Sequence, residues 1–317
     1  MTPWSPWRPL AEVPPLPAAV LAETLDGGQA FRWQGGADGT WLGVWSDNLA
    51  RLRQDAAGQI EWSAPAPLAA PVISALPGYF AADRDFAALA DSLPWRSDPH
   101  LARAIAAFPG LRLLRQPFGE TLLGFLCSAT KQIVQIKQML ALLAERHGAP
   151  LAVAARVSVS PSSPAGEVPA ATPLTLHRLP TWPELARIPE AELRACLLGF
   201  RARYIADTAR FLAAHPGWLE ETELLPYAQA KARLGELPGV GEKIADCVLL
   251  FGAGRLEAFP VDVWILKSLA RHYGLEGWKP AQVAHFGRTH FGPLAGFAQQ
   301  FLFAWERRAA RSGDRPV

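Results

Sequence analysis

The chain has 317 residues, of which 50% are hydrophobic, and its formal net charge is +2 at pH 7. This composition excludes a disordered chain, and no apolar run reaches the roughly 18 residues that a membrane span requires. The three cysteines form no metal-type pair and no disulfide framework. We therefore expect a cytoplasmic protein that binds no membrane.

Residues 1–83 have the pattern of an antiparallel sheet. Two candidate strands, 40–45 and 50–53, are separated by a polar turn at 46–48, and a glycine-rich turn at 35–39 precedes them. Alternating apolar and polar residues between such turns are typical of strands with one solvent-facing side. We therefore predict an N-terminal antiparallel sheet domain over this part of the chain.

The pattern becomes helical at residue 84 and stays so almost to the C-terminus. Apolar residues recur every three or four positions, and 119–147 is predicted to be a long apolar helix or a helix pair. Segment 157–183 is rich in Ser, Pro, Ala and Thr, which favours a surface loop or insertion. The sequence thus predicts an α+β chain in which the sheet domain packs on an all-helical region, residues 84–317.

The most informative stretch is Leu-Pro-Gly-Val-Gly-Glu-Lys, which begins at Leu237 between two helix-forming segments. We expect Gly239 and Gly241 to allow a tight turn with positive φ and to leave amide groups bare where the second helix begins. Such a helix start binds a phosphate without reading sequence. An ordinary glycine-rich link between core helices is the alternative. The flanking helices and the lysine favour a DNA-binding hairpin centred on Val240.

Two side chains near this hairpin are suited to cleaving an N-glycosidic bond. Lys243 falls in the first turn of the second helix, whose positive partial charge disfavours an ammonium, so we expect the neutral amine that attacks carbon. Asp262, 19 residues later, is placed to cap the next helix, and a fixed carboxylate stabilises an oxocarbenium-like state. A solvent-facing lysine and a purely structural cap are the alternatives. Cys247, one turn after Lys243, suits either a pocket wall or the core.

With these motifs the chain resembles the 8-oxoguanine branch of the helix-hairpin-helix DNA glycosylase superfamily. Residues 237–247 and 260–263 are similar to that family's hairpin and aspartate motif. The other similar segments follow the family's order along the chain: 28–33 in the N-terminal sheet, 111–116 and 125–128 in the central helices, 198–204 in the DNA-wedge loop, and 292–299 with Phe303 in the last helix. This agreement covers most of the chain.

The resemblance implies a bifunctional DNA glycosylase and AP lyase. Its partner would be double-stranded DNA containing a damaged purine, 8-oxoguanine above all and by extension ring-opened purines. Lys243 would attack the sugar C1′ and form a Schiff base, which permits a later β-elimination, and Asp262 would support that chemistry. In a bacterium such an enzyme would be nucleoid-associated, and we expect it to act as a monomer.

The resemblance also implies a pocket that receives a base flipped out of the duplex. Cys247 and Phe303 would lie against the two faces of the base, and Gln299 would bond its Watson–Crick edge. The backbone carbonyl of Gly28 would accept the N7 hydrogen that 8-oxoguanine has and guanine lacks. No cofactor is required, although the family implies a monovalent cation at the hairpin carbonyls.

The chain departs from the family pattern at several predicted DNA contacts. The asparagine and the arginine that read the cytosine opposite the lesion are replaced by Thr130 and Gln135, which leaves Arg201 of the usual set. Phe200 stands for the wedge tyrosine and can still stack. Trp264 stands for a histidine near the 5′ phosphate and offers a single N–H donor. The family's selectivity for the opposite base therefore does not carry over to this chain through the resemblance.

Two alternatives belong to other functional classes. A monofunctional glycosylase for alkylated bases would share the fold but would use the aspartate with water and lack Lys243. A non-catalytic hairpin protein that binds DNA would need neither Asp262 nor the residues of a base pocket.

Overall fold

The computed structural model describes residues 3–151 and 176–312 and shows the predicted α+β architecture. An antiparallel sheet has the strand order β1-β5-β4-β3-β2, so its last four strands form a meander. The polar turn after Trp45 is tight, because Trp45 pairs directly with Asn48. The strands are β1 (Arg8–Pro9), β2 (Trp33–Gly35), β3 (Trp41–Trp45), β4 (Asn48–Gln54) and β5 (Ile60–Ser63).

One face of the sheet is held by buried aromatic side chains. The Trp33 and Trp45 rings stack with centroids 5.7 Å apart, and Trp33 donates its indole N–H to the hydroxyl of Tyr79 at 3.0 Å. Gly43 lies opposite Trp33, where a Cβ would meet the indole ring at 2.3 Å. The missing side chain of Gly43 therefore lets the tryptophan lie flat on the sheet.

The helices follow the 3.6-residue periodicity of the sequence. The first eight are α1 (Ala18–Asp26), α2 (Ala69–Tyr79), α3 (Phe86–Ser92), α4 (Pro99–Ala107), α5 (Phe118–Leu126), α6 (Ile133–His147), α7 (Trp182–Leu185) and α8 (Glu190–Leu193). The remainder are α9 (Arg201–Ala214), α10 (Trp218–Leu224), α11 (Tyr227–Leu234), α12 (Glu242–Phe251), α13 (Val263–Tyr273), α14 (Pro280–Phe291) and α15 (Ala295–Ser312). No described helix has both the length and the apolar character needed to cross a bilayer.

The helices and loops differ from the predicted pattern in a few places. The segment 119–147 is a helix pair, α5 and α6, while α1 and α2 add helix within the first 83 residues. Of the predicted loop 157–183, residues 157–175 lie outside the described chain. The rest is only partly loop, because His177 bridges to Pro150 and α7 begins at Trp182. The domain boundary between residues 83 and 84 stays a prediction.

Helix α5 lies between the sheet domain and α12. Phe125 on α5 meets Phe31 from the sheet domain edge-on, with centroids 5.3 Å apart, and stacks on Phe251 of α12 at 5.6 Å. Gly124 allows this approach, since a Cβ there would meet the Phe31 ring at 3.1 Å. A continuous aromatic contact therefore joins the sheet domain to the helix that follows the hairpin.

Gln29 fixes the seam between the sheet domain and the central helices. Its side chain is buried, donates to the carbonyl of Arg112 at 3.0 Å and accepts from the amide of Leu114 at 2.8 Å. Gln116 donates in return to the backbone carbonyl of Gln29 at 2.5 Å. Gln29, in the segment that leads into β2, is thus bonded through both its side chain and its backbone to the α4–α5 connection.

We predict that Gln29→Leu lowers the free energy of unfolding by about 2–4 kcal/mol. The change would leave a buried amide and a buried carbonyl unpaired, at roughly 1–3 kcal/mol each. Urea denaturation followed by circular dichroism measures the loss. Gln229→Leu, at an exposed glutamine of α11, is the control, and equal stability of the two variants would contradict the role of Gln29.

Candidate active site

The predicted hairpin joins α11 to α12, and its two glycines have different roles. Gly239 has φ +81°, and a Cβ there would lie 2.7 Å from the Tyr204 ring of α9. Gly241 has φ −94°, so the expectation of positive φ at both glycines is wrong for this one. A Cβ at Gly241 would meet nothing within 4 Å of the protein. The space in front of Gly241 is open to a ligand rather than filled by the fold.

The start of α12 presents backbone amides to this open side. Gly241 is its N-cap and provides no side-chain hydrogen bond, so the first amides keep their donor capacity. Behind the hairpin, Lys231 contacts the carboxylates of Glu242 and Asp246 at 2.6 and 3.0 Å. Val240 is buried and anchors the tip. The hairpin is thus rigidly held with its amide edge exposed, as phosphate binding requires.

A narrow cleft opens next to the hairpin, and the structure brings the predicted catalytic and base-pocket residues together there. It is lined by the six predicted residues, Gly28, Lys243, Cys247, Asp262, Gln299 and Phe303, and by Phe125, Phe251, Pro260 and Gln300. These lining residues come from the sheet domain, from α5, α12 and α15, and from the segment before α13. Their convergence makes this cleft the candidate active site.

The amine of Lys243 is held by groups that the sequence analysis did not single out. Its Nζ donates to the hydroxyl of Ser128 at 3.0 Å and lies 5.3 Å from the centre of the Phe125 ring. The Ser128 hydroxyl donates in turn to the Phe125 carbonyl at 2.7 Å, so a lone pair faces the amine. Ser128 is 115 residues from Lys243, and no local pattern could have indicated this contact.

Asp262 caps α13, as predicted. Its Oδ1 accepts from the amides of Trp264 at 3.0 Å and Ile265 at 2.9 Å. Burial raises the pKa of Asp262, while these amide hydrogen bonds and the charge of Lys243 act in the opposite direction. The two cap hydrogen bonds fix the orientation of the Asp262 carboxylate, and the surrounding cleft wall removes part of its hydration.

The rest of the cleft has the character of a base pocket, with apolar faces and polar edges. Burial raises the pKa of the Cys247 thiol to about 12, which keeps this side chain neutral. Gln299 is buried, and its Oε1 has no hydrogen-bond partner among the described residues. Gly28 has φ +103° and lies against Phe303, which a Cβ would approach to 3.5 Å. An unpaired amide oxygen in a largely apolar cleft is suited to a polar ligand edge.

The residues predicted to face the opposite strand lie outside the cleft. Arg201 is buried and donates to the hydroxyl of Thr130 at 3.0 Å and to the carbonyls of Ala129 and Leu198. Thr130 is exposed with φ +54°, an unusual conformation for a β-branched residue. Gln135 accepts from the amide of Gln132 at 3.1 Å and so caps α6. Both Arg201 amino groups, the Thr130 hydroxyl and the Gln135 side-chain oxygen are therefore engaged within the protein, while Nε of Arg201 has no partner among the described residues.

The remaining predicted DNA contacts lie at the surface around the hairpin. Phe200 is 51% exposed just before α9, and Trp264 is half-buried in the first turn of α13. The Phe200 ring meets Tyr204 edge-on at 6.1 Å, and Tyr204 packs on Gly239. Phe200 therefore directly precedes α9, the helix that packs against the hairpin.

One trio of side chains among the described residues is close enough to share a metal ion, and it lies outside the cleft. The ligand atoms of His100, His272 and Glu306 all fall within 4.8 Å of one another. The two imidazole rings, however, stack at 3.7 Å with an angle of 15° between their planes. Their in-plane lone pairs therefore run side by side instead of meeting at one point, and the trio does not form a preorganised metal centre.

Comparisons with known proteins match both parts of the chain. Residues 15–122 match the profile of the 8-oxoguanine DNA glycosylase N-terminal domain, and residues 125–289 match that of the HhH-GPD superfamily of base excision DNA repair proteins. The N-glycosylase/DNA lyase OGG1 of Arabidopsis thaliana is 30% identical over 309 residues, which cover 92% of this chain and 79% of the relative. The N-glycosylase/DNA lyase of Saccharomyces cerevisiae is 29% identical over 290 residues, which cover 82% of this chain and 69% of the relative.

A solved structure agrees with these sequence relatives. The 8-oxoguanine glycosylase/lyase of Clostridium acetobutylicum, in complex with double-stranded DNA containing cytosine opposite 8-oxoguanine, superposes with a TM-score of 0.78 at 27% identity. The match covers 92% of each chain. The 3-methyladenine DNA glycosylase of Archaeoglobus fulgidus, at 18% identity and a TM-score of 0.68, shares the fold. The chain belongs to the 8-oxoguanine DNA glycosylase family within the HhH-GPD superfamily of base excision DNA repair proteins.

Proposed function

We propose that this protein is a bifunctional DNA glycosylase and AP lyase that removes 8-oxoguanine from double-stranded DNA. One observation carries the proposal: Lys243 and Asp262 line a single cleft beside an exposed amide edge that suits a DNA phosphate. The relatives that cover most of the chain are named N-glycosylase/DNA lyases, in agreement with this chemistry. Ring-opened purines are a second substrate that the same cleft would admit.

The proposed reaction assigns one step to each group. The hairpin amides hold a phosphate and the damaged nucleotide turns into the cleft, where Cys247 and Phe303 lie against its faces. The Lys243 nitrogen forms a bond to C1′ while the C1′–N9 bond breaks, and the purine leaves with that electron pair and takes up a proton. Asp262 stabilises the positive charge that develops on the sugar. The nitrogen then loses a proton, the C1′–O4′ bond breaks and O4′ takes up a proton, which opens the sugar and gives the imine. Removal of a C2′ proton from the imine expels the 3′ phosphate by β-elimination.

Two further assignments remain proposals. The Gly28 carbonyl would accept the N7 hydrogen of 8-oxoguanine, and the unpaired Oε1 of Gln299 would meet its base edge. A monovalent cation at the hairpin carbonyls stays a prediction. The Leu237 carbonyl already accepts the Val240 amide at 3.1 Å and has a second lone pair for such an ion. The aspartate-only chemistry of an alkylated-base glycosylase would leave Lys243 in this cleft without a role.

We predict that the wild-type protein nicks an 8-oxoguanine duplex without added alkali and forms a covalent adduct when borohydride is present. Lys243→Gln should abolish the adduct, because an amide cannot form the imine, and should leave lesion binding measurable. Lys267→Gln, at an exposed lysine of α13, is the control and should trap normally. A wild-type enzyme that releases the base without any adduct would favour the monofunctional alternative.

We predict that excision slows on acidification and that Asp262 sets this slope. Because burial raises the pKa of Asp262, the charged form is lost at a pH above the usual aspartate value of about 4. Asp262→Asn keeps a capping side chain but removes the charge, so single-turnover excision should fall by about 100-fold and lose this acidic limb. A pH profile of both proteins measures it, and an unchanged limb in the variant would refute the assignment.

We propose that discrimination among the bases opposite the lesion is weak, because Arg201 is bonded to Thr130 and Gln135 is used as a helix cap. Single-turnover rates with the four opposite bases should lie within about tenfold of one another. Thr130→Asn, which tolerates positive φ and offers both a donor and an acceptor, should raise the preference for cytosine several-fold. Thr289→Asn, at an exposed threonine of α14, is the control. A strong cytosine preference in the wild type would contradict the proposal.

A further inference from the structure

Leu197 combines two unfavourable features for a leucine. It lies between α8 and α9, where the backbone departs from helical geometry, and its φ is +63°. Leucine side chains rarely adopt this left-handed conformation, which glycine adopts freely. Its side chain is also 59% exposed, although leucine is normally buried. A strained, exposed apolar residue is the kind of outlier that points to a functional surface.

The surrounding contacts hold this conformation in place. Arg194 donates to the carbonyl of Gly199 at 3.1 Å, and Arg146 donates to the carbonyl of Ala195 at 2.9 Å. Leu198 is fully buried, and its carbonyl accepts from Arg201 at 3.2 Å. The segment is therefore fixed on both sides of Leu197, and burial of Leu198 leaves its neighbour pointing away from the core.

Leu197 is close in the chain to the predicted DNA-binding elements. Phe200, the residue expected to act as a wedge in DNA, is 51% exposed three positions later. Its ring meets Tyr204, and Tyr204 packs against Gly239 of the hairpin. Two exposed apolar residues, Leu197 and Phe200, therefore lie on one turn, next to the helix that packs against the phosphate-binding turn.

We propose that Leu197 is a second wedge residue, which enters the base stack together with Phe200 when the damaged nucleotide is turned out. This inference rests on the proposed function. Flipping one nucleotide leaves a gap in the duplex, and apolar side chains that enter such a gap stabilise the unstacked state. Two apolar groups on one fixed turn fill more of the gap than a single ring, without an entropic cost of ordering the loop on binding.

The decisive variant is Leu197→Gly, because it separates stability from function. Glycine relieves the positive φ, so the Tm should be unchanged or rise by up to about 2–4 °C. Loss of the side chain should lower single-turnover excision of 8-oxoguanine by about fivefold to tenfold. The signal of 2-aminopurine placed beside the lesion, which reports unstacking, should fall in parallel. Affinity for undamaged duplex, which the hairpin amides provide, should stay at the wild-type value.

Three control variants complete the test. Leu197→Met keeps an apolar chain of similar volume and should retain wild-type excision and unstacking, whereas Leu197→Asn tolerates the backbone but is polar and should behave like the glycine variant. Leu224→Ala, at a leucine that is 81% exposed on α10, should change nothing. The inference is overturned if Leu197→Gly flips and excises at the wild-type rate, or if Leu197→Met is as impaired as Leu197→Gly. If the wild type itself forms no product, the proposed function fails instead.

Discussion

The packing of α5 between the sheet domain and α12 is the constraint on which the cleft depends. Phe125 contacts Phe31 on one side and Phe251 on the other, and it also forms part of the wall around the Lys243 amine. Helix α5 ends at Leu126, two residues before Ser128, whose hydroxyl accepts the hydrogen bond of that amine. One short helix therefore sets the distance between the sheet domain and Lys243.

The site brings together two helix starts, those of α12 and α13, which interact with groups of different charge. The start of α12 favours anions, which suits the phosphate but not an ammonium, while Asp262 at the start of α13 is fixed by two amides. In the proposed reaction, each helix start would support a different part of the substrate, the start of α12 its phosphate backbone and the start of α13 its sugar. Lys243 lies between them with its own acceptor in Ser128.

Much of this site could be predicted from the sequence because its signals are local. The glycines of the hairpin, Lys243 and the Asp262 cap occupy short segments with recognisable motifs, whereas Gly28, Gln299 and Phe303 were predicted through the family resemblance. What could not be predicted depends on contacts between distant segments, as in the bonds of Ser128 to Lys243 and of Arg201 to Thr130, 115 and 71 residues apart. The extended conformation of Gly241 and the left-handed conformation of Leu197 are likewise set by tertiary packing, and residue identity gave no sign of either.

The position of Gly28 has a consequence for the modularity of the enzyme. This residue belongs to the sheet domain, next to the Gln29 seam, yet it contributes a wall of the cleft whose other residues come mainly from helices. Under the proposed function, the residues that carry the chemistry and the residue that distinguishes one purine from another would therefore be supplied by different parts of the chain. Under the proposed assignments, a fragment restricted to the helical region would retain Lys243 and Asp262 but lose the wall expected to face the imidazole edge of the base, so lesion selectivity would depend on the assembled whole.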